Sequence, residues 1–188
     1  MGRWQPDARA RLQRAAMALF GERGFEQATV AEIAARAGLT ERTFFRHYAD
    51  KREVLFGGSS EFSGLLVHSI DDAPAGTRPI EMIAAALATA GELFAERLDH
   101  ARQRQHIIDA HADLRERELI KLASLAASLS EALRRRGVGD PAARLAAEAG
   151  VAVFKIAFER WVEENNATPL SDIIRESLAE LKAVTAGN

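Results

Sequence analysis

The 188-residue chain has no cysteine, which excludes a disulfide scaffold, a thiolate zinc site and cysteine-based catalysis. Long apolar runs are missing too. The longest, near Met82–Ala90, is about ten residues, and a membrane span needs about 20. No stretch alternates apolar and polar residues with period two, so no sheet is expected. The start, Met1–Pro6, lacks the apolar core of a signal peptide. Pro6 also stands where a myristoylation signal needs Ser or Thr. The chain has no internal repeat, phosphate-binding loop or nucleophile–base constellation. These absences lead to the expectation of a cytoplasmic protein that is neither an enzyme nor membrane-bound and carries no cofactor.

Charge of one sign is not in excess: 25 Lys and Arg stand against 27 Asp and Glu, a net charge of −2. That average hides an asymmetry. Residues 1–56 carry ten basic and seven acidic side chains, a net of +3, while residues 57–188 carry fifteen and twenty, a net of −5. A basic head on an acidic body suits a nucleic-acid reader joined to a module with another partner.

The apolar spacing is helical throughout. Leu12, Ala15, Ala16, Leu19 and Phe20 mark a first amphipathic helix, with Gly24 suited to its C-terminal cap. Thr29 and Glu32 form a capping box at the start of a short second helix, whose stripe is Val30, Ile33, Ala34 and Ala37. Gly38 ends it, and Thr40 opens a third helix that runs to about His47 or Tyr48. Leu39 and Phe44 flank that start as a hydrophobic staple. Asp50 and Glu53 form another box, expected to begin a longer helix through Val54, Leu55 and Phe56, with a kink or break at Gly57–Gly58. Farther on, helices are expected from Pro79 to about Arg97 and from Leu114 to Arg136. Two more follow, with Pro141 and Pro169 at their first positions and the last ending near Val184. The sum is an all-α chain of about nine helices. Residues 1–56 are expected to form a three-helix head and residues 57–188 a helical bundle.

Two short capped helices joined at Gly38, with Ala34 allowing close approach, form a helix–turn–helix arrangement, whose second helix enters the DNA major groove. On that helix Thr43 and His47 share one face, and Arg42 and Arg46 another. Arginine reads guanine bidentately. Tyr48 and Lys51 follow the helix end, where a hydroxyl and an ammonium can grip phosphate. Thr29 and Thr40 open helices, whose N-termini attract phosphate. Phe44 is assigned to the core. Phe45 either faces DNA or packs, and Arg42 and Arg46 have the alternative of a solvated helix face.

The run Gly24-Phe25, Thr29 to Ala34, Ala37 to Thr40, Thr43 to Tyr48, Asp50-Lys51 and Leu55 resembles the N-terminal domain of TetR-family transcriptional regulators. The match covers about residues 8–56. The resemblance implies that Thr29, Thr43, His47, Tyr48 and Lys51 contact DNA, mainly at its backbone, and that Arg42 and Arg46 read base edges. The family usually has Tyr where this chain has Phe45, which removes one phosphate contact. It also implies a homodimer on a palindromic duplex operator, and a small-molecule effector that releases it. A ligand-independent architectural DNA-binding protein is the alternative.

The second half is less explicit. Phe62, Leu66, Met82, Phe94 and Ile107 are core residues or line an effector cavity, as are Leu122, Phe154, Phe158 and Trp161, and His111 is a candidate polar group there. The scarcity of buried polar candidates suggests an apolar effector such as a lipid or acyl thioester. His100, His106 and His111 with Asp99, Asp109 and Asp113 invite a metal reading, but His-x-x-x-His spacing is absent. His100 and His111 would stand about 16 Å apart along a helix. No metal is therefore expected. Ala146, Gly150 and Val153, with the seam Leu170, Ile174, Leu178 and Leu181, form either a four-helix dimer interface or an intramolecular contact, and the dimer is the expectation.

Overall fold

A computed structural model describes residues 8–163 and 165–186. The Met1–Pro6 segment read for a leader lies outside them. The described residues form nine α-helices and no strand: α1 (Ala8–Arg23), α2 (Val30–Arg36), α3 (Glu41–His47), α4 (Ser59–Asp71), α5 (Pro79–Phe94), α6 (Leu98–Asp109), α7 (Ala112–Arg135), α8 (Asp140–Val162) and α9 (Leu170–Ala186). A single 3-10 turn spans Arg52–Phe56. No described helix is long and apolar enough to cross a membrane.

The chain forms two compact units. The first holds the described residues up to Gly58 together with Gln103–Arg115. Its helices are built by local chemistry. Thr29 accepts the Glu32 N–H, and the Glu32 carboxylate accepts the Thr29 N–H at 3.0 Å, which closes the expected capping box. Gly38, at φ +66°, turns the chain after α2. Its N–H donates to Ala35 O, and the Leu39 N–H to Ala34 O, both at 2.9 Å. That pair of bonds is the Schellman arrangement, which needs a left-handed residue. Thr40 then caps α3. Leu12, Ile33 and Phe44, all fully buried, lead the core of this unit.

Two findings in this unit differ from what the sequence predicts. Asp50 does cap the following turn, accepting the Glu53 N–H at 3.0 Å, but that turn is a 3-10 turn of five residues and not the start of a long helix. The chain does break at Gly57–Gly58, as expected, before α4 begins at Ser59. Moreover, Ile107, Ile108 and Leu114 are buried in the head's core, so this core draws on residues far beyond position 56. Their spacing marks a helix but does not say which core receives it.

The second unit comprises Ser59–Arg102 and the described residues from Glu116 onward. Ile83, Leu87, Leu129, Leu133 and Ala147 are fully buried at its centre. α5 passes close to α8 and α9, and two glycines permit it. A Cβ on Gly150 would stand 2.5 Å from Ile83 Cγ2, and one on Gly91 would stand 2.8 Å from the Ser171 Cα. The expected dimer seam lies within this core. Gly150, Val153, Leu170, Ile174 and Leu178 are buried inside one chain, and Ala146 and Leu181 pack against the same core. An apolar stripe shows that a helix has a partner without showing whose chain supplies it. Among the described residues of α8 and α9, the exposed large apolar side chains are Leu145, Ile156 and Val184, at 72%, 53% and 74%.

Arg102 and the triplet Arg134–Arg136 brace the loops of this unit. Arg102 donates to the carbonyls of Val162, Glu163 and Asn166. Arg135 pairs with Asp71 at 2.9 Å, and Arg136 donates to Asp71, Ala73 and Pro74 carbonyls after α4.

Candidate nucleic-acid interface

α3 divides its residues sharply by burial. Phe44 is fully buried, whereas Phe45 is 55% exposed and meets it edge-on at 5.5 Å between ring centroids. Arg42 and Arg46 are exposed, and no carboxylate pairs with them among the described residues. The neighbouring helices treat their arginines otherwise. Arg36 forms a two-pronged pair with Glu22 at 2.5 and 2.6 Å, and Arg23 pairs with Glu32 at 2.5 Å. The Arg36 side chain holds the Glu22 carboxyl below its ordinary range. Among the described residues, α3 thus presents two exposed guanidinium groups with no carboxylate partner, Arg42 and Arg46, and planar donors of this kind suit base edges.

The threonines surround this face. Thr29 and Thr40 are exposed N-caps, and the Thr40 and Thr43 hydroxyls lie 3.1 Å apart. Their helix N-termini give the site a positive edge without further charge. His47 is half-buried, and its Nε2 is buried with no hydrogen-bond partner. Burial, then the charges of Arg46 and Arg9, lower its pKa and favour the neutral ring.

Two expected phosphate grips point elsewhere. Tyr48 is 3% exposed, and its hydroxyl donates to Arg9 O at 3.3 Å. The phenol packs over Gly57, where a Cβ would stand 2.9 Å from the hydroxyl oxygen. It is a core residue that ends α3 and donates its N–H to Phe44 O. Lys51 folds back onto the α1–α2 loop. Its ammonium donates to Phe25 O at 2.7 Å and Glu26 O at 3.2 Å, and sits 4.5 Å from the Phe25 ring centroid. Both residues follow the helix end, as the sequence indicates, but aromatic packing and free carbonyls within the head satisfy them.

One feature lacked a sequence signal. Arg11, Arg14 and Arg36, with Gly38, line a shallow groove of about 450 Å³ between α1 and α2. The arginines come from two helices, and only their packing brings them together.

The expected effector residues divide between the units. Phe62, Phe94, Phe154, Phe158 and Trp161 converge from α4, α5 and α8, with neighbouring ring centroids 5.2 to 6.4 Å apart. Leu66 and Met82 are buried in the same core, and Leu122 packs against it. Ile107 and His111 do not belong there. Ile107 is buried in the head's core, and His111 lies 5.0 Å from the Phe25 ring, with Nδ1 2.8 Å from Ile107 O. The register of α6 and α7 directs both into the first unit.

Residues 12–56 match the family model for bacterial regulatory proteins of the tetR family, and residues 77–186 match the MftR C-terminal domain. The HTH-type transcriptional regulator TcmR of Streptomyces glaucescens is 36% identical over 78 residues, which cover 42% of this chain and 34% of that relative. The match thus spans about a third of TcmR. Among solved structures, the fold resembles Thermus thermophilus FadR, a TetR-family transcriptional repressor in complex with lauroyl-CoA. The TM-score is 0.59 at 25% identity, over 93% of both chains. It also resembles SmeT, repressor of the Stenotrophomonas maltophilia multidrug efflux pump SmeDEF, with a TM-score of 0.65 at 20% identity, over 94% of this chain and 89% of SmeT. With one model covering the helix–turn–helix and another more than half of the chain, the protein belongs to the TetR family of bacterial regulatory proteins.

Proposed function

We propose that this protein is a cytoplasmic repressor that binds a palindromic DNA operator as a homodimer and leaves it when a small, mainly apolar effector binds the second unit. The observation that carries this reading is the open face of α3, where Arg42, Phe45 and Arg46 stand exposed beside two threonine-capped helix N-termini. Arg42 and Arg46 read base edges, Phe45 packs on thymine methyls or sugars, and Thr29, Thr40, Thr43 and His47 follow the backbone. Tyr48 shapes the helix end from within, and Lys51 reaches phosphate only by leaving its carbonyl partners. The dimer forms through the exposed apolar residues Leu145, Ile156 and Val184, which a second copy would cover.

The aromatic cluster of the second unit supports an apolar effector, since the buried polar residues among those described are only Ser130 and Ser177. The acyl thioester bound by Thermus thermophilus FadR is an example of such a ligand. An effector that prefers a DNA-incompetent conformation lowers the DNA-bound population by its differential affinity. Native mass spectrometry of the purified protein, with and without a duplex selected by it from a random-sequence library, tests the dimer and its operator. The expected species are a dimer, and a dimer on one duplex whose sequence is two-fold symmetric. A monomer, or a selection that enriches no sequence, would overturn it.

A further inference from the structure

α6 places two long polar side chains on the main chain of the DNA-reading head. The Gln103 amide donates to Met17 O of α1 at 2.9 Å, and Arg104 Nε donates to Leu55 O of the 3-10 turn at 2.8 Å. The Arg104 guanidinium also lies 5.1 Å from the Phe56 ring centroid. Gly21 of α1 lies beside that amide, and a Cβ there would stand 2.7 Å from Gln103 Nε2, so the glutamine would have to shift. Ile108 and Leu114, both fully buried, hold the same segment in the head's core.

From these anchors a continuous path leads to α3. Leu55 and Phe56 precede Gly57, whose carbonyl accepts a bond from the Arg9 guanidinium and whose open side receives the Tyr48 phenol. Tyr48 in turn donates its hydroxyl to Arg9 O and its N–H to Phe44 O at the end of α3. The C-terminal end of α3 is thus fixed against the 3-10 turn and α1, the two elements that Gln103 and Arg104 hold.

We infer that Gln103 and Arg104 are positioning residues for DNA binding. They touch no DNA, and they set the attitude of α3 through the 3-10 turn, α1 and Tyr48. The inference rests on the proposed DNA-reading role of α3. A positioning residue and a phosphate contact leave different traces: loss of a phosphate contact lowers the slope of log affinity against log salt by about 0.9, whereas loss of a positioning residue lowers affinity at constant slope.

The experiment titrates the full-length protein against the duplex that the wild type selects from a random library, over a range of salt. If no duplex is selected, the DNA-reading role itself fails, and the positioning role fails with it. With a duplex in hand, Arg104→Ala that remains helical by circular dichroism is expected to bind about tenfold more weakly with an unchanged salt slope, as suits one lost charge-assisted bond. Arg104→Lys, which keeps a cation and a donor, is expected to recover part of the loss. Unchanged affinity in the folded Ala variant overturns the inference, and so does a slope lowered by about one contact. Should Arg104→Ala not fold, Gln103→Ala takes its place with the same readings.

Discussion

The Tyr48 phenol closes over Gly57 so tightly that a Cβ on the glycine would stand 2.9 Å from both the ring Cε1 and the hydroxyl oxygen. Gly57 has φ −56°, an ordinary backbone conformation for any residue, so the contact and not the torsion demands glycine. Gly57→Ala is therefore expected to destabilise the protein by about 1–3 kcal/mol through overpacking. Gly58→Ala meets nothing within 4 Å and is expected to leave stability unchanged or slightly raised. Chemical denaturation of both variants checks the contrast, and equal stability of the two would contradict the close packing.

Arg46 is exposed on α3 without a carboxylate partner among the described residues. Arg46→Ala should cost little stability but weaken binding to a selected duplex by about 1–3 kcal/mol and relax preference at one base position. Gel-shift titration and a repeated selection with the variant report both effects. Undiminished affinity would remove Arg46 from the base-reading set.

The α2 capping box makes the head sensitive to acid. The Thr29 N–H, then the Thr29 hydroxyl, hold the Glu32 carboxyl below its ordinary value of 4.5. A carboxyl lowered on folding stabilises the native state fully above the unfolded value, and that contribution disappears as pH falls through the lower folded value. Stability should thus decline below about pH 4.5, and Glu32→Gln should flatten that limb. Thr29→Ala removes the cap at any pH and is expected to cost about 1 kcal/mol. Thermal melts between pH 3 and 7 check both, and an unaltered acid limb in Glu32→Gln would count against the box.

Leu145 and Gly150 lie within two turns of one helix but in different surroundings. Leu145 is 72% exposed, whereas Gly150 is buried against Ile83. Leu145→Glu combined with Ile156→Glu is expected to yield folded monomers in sedimentation velocity. Gly150→Leu should instead lower the melting temperature, at about 1–3 kcal/mol for an overpacked core. A double variant that stays dimeric would place the interface elsewhere.

The amino-acid sequence alone determines the helical head in fine detail. Thr29 with Glu32, Gly38 with Ala35, and Thr40 with Thr43 interact across three residues, so their hydrogen bonds and the required left-handed turn are written in the local order of side chains. The separation of buried Phe44 from exposed Phe45 follows from the same short period. Tertiary structure decides what depends on the chain's return over tens of residues. It turns Tyr48 inward onto Arg9 and Gly57, holds Lys51 on the carbonyls of Phe25 and Glu26, and carries Ile108, His111 and Leu114 into the head. It also assigns Gly150 and Ile174 to the interior of one chain. The reason is physical: hydrophobic burial is non-directional. An apolar stripe therefore specifies that a helix face must be covered, and only the packed fold selects which surface covers it.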